Sequence, residues 1–209
     1  MTDIALFHSV LGVRPGITAA AERLRSAGHD VLVVDQYDGL VFDDYETAGA
    51  HAGKIGYPVL MSAALDAVAG LPEGFVAAGF SNGAGMAEFV ATQRRCAGLL
   101  LFSGALPLQM LGVDRWPQGL PAQLHYTEGD PFRQQEWIDS VVADARRAGA
   151  GIEVHDHPGT GHLFTDPSLP AEYDAAATEV LWERALDFCA RVAAPGSART
   201  STRTGPPVT

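Results

Sequence analysis

Cysteine is scarce in this chain: of 209 residues only Cys96 and Cys189 carry a thiol, far apart and with no cysteine nearby. That spacing excludes a zinc knuckle and a CxxC redox pair, and both side chains are expected to be reduced packing residues with no disulfide. Lysine is scarcer still, occurring only at Lys54, and 14 basic residues face 25 acidic ones for a formal charge of −11. A surface of that sign repels a phosphate backbone, so nucleic acid is not an expected partner. Long apolar runs are missing too. No segment reaches the roughly 18 uninterrupted apolar residues that suggest a membrane span, and residues 1–8 hold no basic region followed by a long apolar stretch. These absences lead to the expectation of a cytoplasmic, unanchored protein with no membrane partner, monomeric or homodimeric.

What is present is the composition of an ordinary globule, 47% hydrophobic and 19% charged, in a chain long enough for one substantial core and short for two. A single domain is expected over residues 1–193. The tail, 194–209, is rich in Pro, Gly, Ser, Thr and Arg without an apolar period, and is expected to be disordered. Short apolar runs at Ile4–Phe7, Val31–Val34, Phe75–Phe80, Leu99–Phe102, Gln123–Tyr126 and Ile152–His157 predict strands, several continuously apolar as in a parallel sheet buried on both faces. Between them Gly16–Ala27, Tyr57–Leu71, Gly83–Arg95, Phe132–Ala148 and Ala171–Val192 predict helices. This alternation implies an α/β fold: a mostly parallel sheet of about six to seven strands flanked by helices on both faces. The long connections Gln36–Gly56 and Ser103–Pro121 leave from carboxyl ends of strands, where open parallel sheets bind ligands, and are candidate pocket walls.

At one such strand end stands Gly79-Phe80-Ser81-Asn82-Gly83. Small residues two before and two after a serine are what a sharp strand-to-helix turn requires, and the turn would present Ser81 at a helix N-terminus that favours developing negative charge. A serine hydroxyl needs a base and an orienting acid to act as a nucleophile, in this fold in the order serine, acid, histidine. Asp130 follows the strand ending at Tyr126, and His162 follows the strand ending at His157. Glu128 and Asp114 are alternative acids, and helix capping is the competing role for Asp130. The oxyanion donors would be the N–H groups of Asn82 and of Val10, in the loop "HSVLGVRPG" after the first strand, with His8 and Ser9 holding that loop in shape. The glycine spacing is not the G-x-G-x-x-G of a dinucleotide loop.

Taken together, "HSVLGVRPG", "VVDQYDG", "GFSNGAG", "EGDPF" and "PGTGHLF" resemble the dienelactone hydrolase branch of the α/β-hydrolase fold over roughly Ile4 to Val192. The resemblance implies a compact enzyme that opens esters or lactones through an acyl-enzyme, without a cofactor or metal. The founding members carry cysteine where Ser81 stands and a glutamate where Ser9 stands, and the two arginines that grip the dienelactone carboxylate fall at Gly39 and Asp166. With Asp43, Asp44, Glu46 and Asp166 near the mouth, the expected substrate is a neutral or cationic ester, lactone or thioester, not dienelactone itself. Tyr37, Trp116 and Phe164 are expected to bind it, with Phe42, Tyr45, Met110, Leu111 and Phe132 as further candidates for the pocket. An acyltransferase or thioesterase using the same acyl-serine, and a catalytically idle binding protein, are the alternatives.

Overall fold

The computed structural model describes residues 2–193; the tail expected to be disordered lies outside the described residues. Alternation along the strands decides where the core forms. In β1 (Asp3–Phe7), Ala5 and Phe7 enter one apolar cluster while Ile4 and Leu6 enter another, because successive side chains leave a strand on opposite faces. β3 (Phe75–Phe80) and β4 (Cys96–Phe102) divide in the same way, Ala77 and Leu101 to the first cluster and Val76, Ala78 and Leu100 to the second. With β2 (Asp30–Val34), β5 (Ala122–Thr127) and β6 (Ile152–His157) they make a six-stranded sheet in the order β2-β1-β3-β4-β5-β6, parallel at every pairing.

Helices cover both faces. α1 (Pro15–Ser26) and α6 (Ala175–Ala193) bury Ile17, Leu24, Leu181 and Trp182 in the second cluster. α3 (Tyr57–Ala67), α4 (Asn82–Gln93) and α5 (Gln135–Arg147) bury Leu60, Val90 and Val141 in the first. The strand order also fixes where a ligand can enter. From β1 the chain turns to one side to make β2, then returns across β1 to make β3, so loops after β1 and β3 diverge and leave a crevice at their carboxyl ends.

Two expectations need correction here. The connection Gln36–Gly56 is not all loop: it contains a helix, α2 (Tyr45–Ile55), whose first turn is capped by Asp44 accepting from Thr47 N–H at 2.7 Å. Ala48 and Ala52, one turn apart, bury its inner face. The helix expected from Phe132 begins at Gln135. Asp130 therefore lies outside its first turn and does not cap it. Burial pushes both free thiols, Cys96 and Cys189, up to about 12, in keeping with packing roles. Among the described residues no helix is long and apolar enough to cross a membrane.

One carboxyl lies in the core. Glu88, on the inner face of α4, is 1% exposed and accepts a hydrogen bond from Leu106 N–H at 2.8 Å, and burial pushes its pKa well above the ordinary glutamate value. Such a group holds more protons folded than unfolded. Its stabilising contribution is complete below the unfolded pKa and is lost as pH rises through the folded one. Glu88→Gln keeps the acceptor and removes the titration, so its Tm relative to wild type is expected to rise steadily between pH 5 and pH 8. A constant difference in thermal melts across that range would refute the assignment.

Candidate active site

The turn between β3 and α4 is tight because of its glycines. A Cβ on Gly79 would lie 2.0 Å from the Gly83 carbonyl oxygen, and one on Gly83 would lie 2.4 Å from that of His8 and 2.5 Å from that of Phe7. Only bare backbone lets the first turn of α4 press against the end of β1. Ser81, at the apex, has φ +53° and ψ −115°, a conformation that L-residues adopt at an energetic cost and that the surrounding contacts enforce. Its N–H donates to Phe102 O at 2.7 Å, and its carbonyl accepts from Ala84 N–H at 2.9 Å.

Chain segments some fifty and eighty residues further on meet at this serine. His162 Nε2 is 2.7 Å from Ser81 Oγ, and Nδ1 is 2.8 and 2.9 Å from the two carboxylate oxygens of Asp130. With Nδ1–H donating to Asp130, Nε2 is left as the acceptor for the serine O–H. Asp130 and His162 are 6% and 4% exposed, so bulk water does not compete for these bonds. Asp130 Oδ1 also accepts from Phe132 N–H at 2.8 Å, which orients the carboxylate from its other side. The alternative acids, Glu128 and Asp114, are exposed and make no bond to His162.

His162 is held by its backbone as much as by its ring. Ser103 Oγ donates to His162 O at 2.6 Å, Thr127 Oγ1 to Gly161 O at 2.8 Å, and Leu163 N–H to the Glu172 carboxylate at 2.6 Å. Ser103, at the end of β4, is 5% exposed, has φ +52°, and donates its N–H to His125 O at 2.8 Å. It was not singled out in the sequence, and only its place directly after a buried strand could have marked it.

The loop after β1 brings Val10 to the same cavity. Neither Val10 N–H nor Asn82 N–H donates to any described residue, and both residues line the space in front of Ser81. His8 and Ser9 hold the loop. His8 Nδ1–H donates to Ser9 O at 2.6 Å while Nε2 accepts from Gln36 N–H at 3.0 Å, so the imidazole is neutral, and burial lowers its pKa. Ser9 Oγ accepts from Leu11 N–H at 3.2 Å. The remaining strand histidines are also engaged away from Ser81: His125 and His157 bond to one another at 3.0 Å, and burial pushes His157 down to about 4.

The cavity measures about 580 Å³, within the usual range for small-molecule sites. Of the residues expected to line it, Tyr45, Met110, Leu111 and Phe132 do. Tyr37, Trp116 and Phe164 do not: they are 3%, 5% and 1% exposed and belong to the core. Tyr37 packs its ring against His8, Phe42 and His51, Trp116 Nε1–H is used by Leu120 O, and Phe164 packs on His157. Phe42 also stays outside the cavity. Sequence reasoning missed Tyr57, Met61, Met86, Leu106 and Trp137, which line it from α3, α4, α5 and the loop after β4.

The acidic residues expected near the mouth do not enter the cavity: among the described residues no Asp or Glu lines it. Asp44 caps α2. Asp43 accepts from Arg14 at 2.9 Å, and Asp166, 5% exposed, lies 3.6 Å from the same guanidinium. Arg14 in turn donates to Phe42 O and Ser168 Oγ, so it joins three loops behind the cavity.

A parallel sheet of this order, with Ser81 in the turn after β3 and Asp130 and His162 after β5 and β6, has the α/β-hydrolase fold. A family model described as the dienelactone hydrolase family matches residues 2–193. The chain belongs to that family and is a hydrolase. Comparison with curated proteins finds no match. Among solved structures it is similar to a dienelactone hydrolase-like promiscuous phosphotriesterase from metagenomic libraries, at 22% identity over 92% of this chain and 87% of that one, with a TM-score of 0.77. It is also similar to an α/β hydrolase from a Medee basin deep-sea metagenome library, at 15% identity over 91% and 84%, TM-score 0.68. A third similar structure is a Bacillus cereus carboxylesterase, at 15% identity over 91% and 88%, TM-score 0.57. At these identities the structures bear on fold alone.

Proposed function

We propose that the protein is a serine carboxylic-ester hydrolase working through Ser81, His162 and Asp130. The observation that carries this is the unbroken pair of hydrogen bonds, Ser81 Oγ to His162 Nε2 at 2.7 Å and His162 Nδ1 to Asp130 at 2.8 Å. As the Ser81 oxygen bonds to the ester carbonyl carbon, its proton passes to Nε2, and the Asp130 carboxylate stabilises the imidazolium. The carbonyl oxygen becomes an oxyanion accepting from the Asn82 and Val10 N–H groups. Collapse breaks the bond to the alcohol oxygen, which takes the proton from Nε2. A water then loses a proton to Nε2 while attacking the acyl-serine, and the acid leaves as Ser81 recovers its proton.

A fluorophosphonate tests this directly. Attack by Ser81 forms an O–P bond and expels fluoride, and peptide mass mapping is expected to find the adduct on the peptide containing Ser81. An intact protein without added mass, or an adduct elsewhere, would overturn the proposal.

Ser103 then has a positioning part, because its hydroxyl holds the His162 carbonyl. Ser103→Ala is expected to lower kcat roughly tenfold, given how steeply rate falls with misplacement of reacting groups, while KM changes by less than about twofold. A change in KM alone would assign Ser103 to substrate binding.

A further inference from the structure

Charge is missing from the walls of the cavity: among the described residues no Asp, Glu, Lys or Arg lines it. Arg14, behind the loop that carries Val10, is engaged by Asp43 and Ser168, and Arg133, next to Phe132, by Asp156 and the face of Tyr126. A substrate carboxylate entering here would lose its hydration and meet no described cation to offset that cost.

Beside Tyr57, Tyr126, Asn82 and Gln134, two sets of lining side chains differ in kind. One is aliphatic, made by Met61 of α3, Met86 of α4, and Leu106, Met110 and Leu111 from the loop after β4. Leu106 is held to α4 by its backbone N–H, which Glu88 accepts, and Gly85 leaves room for its Cδ1. Unbranched thioethers adapt their rotamers to a flexible chain. The other wall is aromatic and sits beside the histidine. Phe132 and Tyr45 pack 5.1 Å apart by ring centroid, and their rings lie 4.7 and 5.7 Å from the His162 imidazole. Phe132 and Trp137, at 49% and 36% exposed, continue it to the mouth.

The chemistry says which half of an ester belongs on which wall. His162 must hand its proton to the departing oxygen, so the leaving alcohol lies beside the imidazole and therefore on the aromatic wall. The acyl chain is left with the aliphatic one. Resting on the serine-hydrolase reading, we propose that this cavity selects uncharged esters joining an unbranched, medium-length aliphatic acid to an aromatic alcohol, with Phe132 and Tyr45 as the residues that choose the alcohol.

Benzyl and butyl esters test the alcohol side because their leaving oxygens are of similar basicity. For the full chain, kcat/KM is expected to be at least fivefold higher for benzyl than for butyl hexanoate, and Phe132→Ala to bring the ratio close to one. Along benzyl acetate, butanoate and hexanoate, kcat/KM is expected to rise by up to roughly fourfold per methylene and at least tenfold in total. The benzyl monoester of hexanedioic acid, which places a carboxylate at the chain end, should be at least a hundredfold poorer than the hexanoate. A flat or falling series, equal use of the carboxylate analogue, or a ratio untouched by Phe132→Ala would overturn the assignment. Fluorophosphonate labelling of Ser81 without turnover of these esters would sink the substrate class alone. Absence of labelling would sink the serine-hydrolase reading beneath it.

Discussion

Ser81→Ala, His162→Ala and the double variant are expected to fall to the same residual rate of ester hydrolysis, each losing about 10⁵ to 10⁶ in kcat. The equality is the informative part. A hydroxyl bonded to Nε2 at 2.7 Å has no other described base, and the imidazole has no other described nucleophile. Either deletion therefore leaves only the N–H groups of Asn82 and Val10 and the cavity itself, which orient and polarise an ester for attack by water. Steady-state rates for the three variants, with circular dichroism to show that each is folded, measure this. A double variant much slower than both single ones would mean that the two groups act separately, and the proton path from Ser81 through His162 would have to be abandoned.

The second large effect concerns folding. Gly83→Ala is expected to cost about 3 kcal/mol or more, in the range seen when a core is overpacked, or roughly 6–12 °C of Tm for a chain of this size. The added methyl would meet the carbonyl oxygens of His8 and Phe7, and strand backbone cannot step aside without breaking its pairing. Gly85→Ala is the control. There the nearest atom, at 2.5 Å, is Leu106 Cδ1, the far end of a side chain that can rotate. Equal losses from the two substitutions would show that the approach of α4 to β1 is looser than described. The contact bears on the site as well, because it sets the distance between Val10, just beyond His8, and Asn82, just before Gly83.

These predictions rest on residues of unequal legibility in the sequence. The strands could be read because each is a short apolar run closed by a turn, and the order Ser81, Asp130, His162 could be read because each follows such a run. α2 could not, since Gly49 and Gly53 lie in its interior and each weakens a helix by about 1 kcal/mol. Its helical signal was the spacing of Ala48 and Ala52 after the capping pair Asp44 and Thr47. The pocket was read least well. Standing just beyond a strand places a residue near the site without saying which way its side chain points, and Tyr37 and Phe164 turn into the core. Met61 and Met86 reach the cavity from helices that in sequence look like ordinary packing elements.

The Arg14 junction limits what position 166 can accept. Asp166 is committed, with Ser168 and Asp43, to the Arg14 guanidinium. An arginine introduced there would face Arg14 across a buried space and leave it short of a counter-ion. A cation at position 166 thus requires a second, coordinated replacement at Arg14, the first change being disadvantageous by itself.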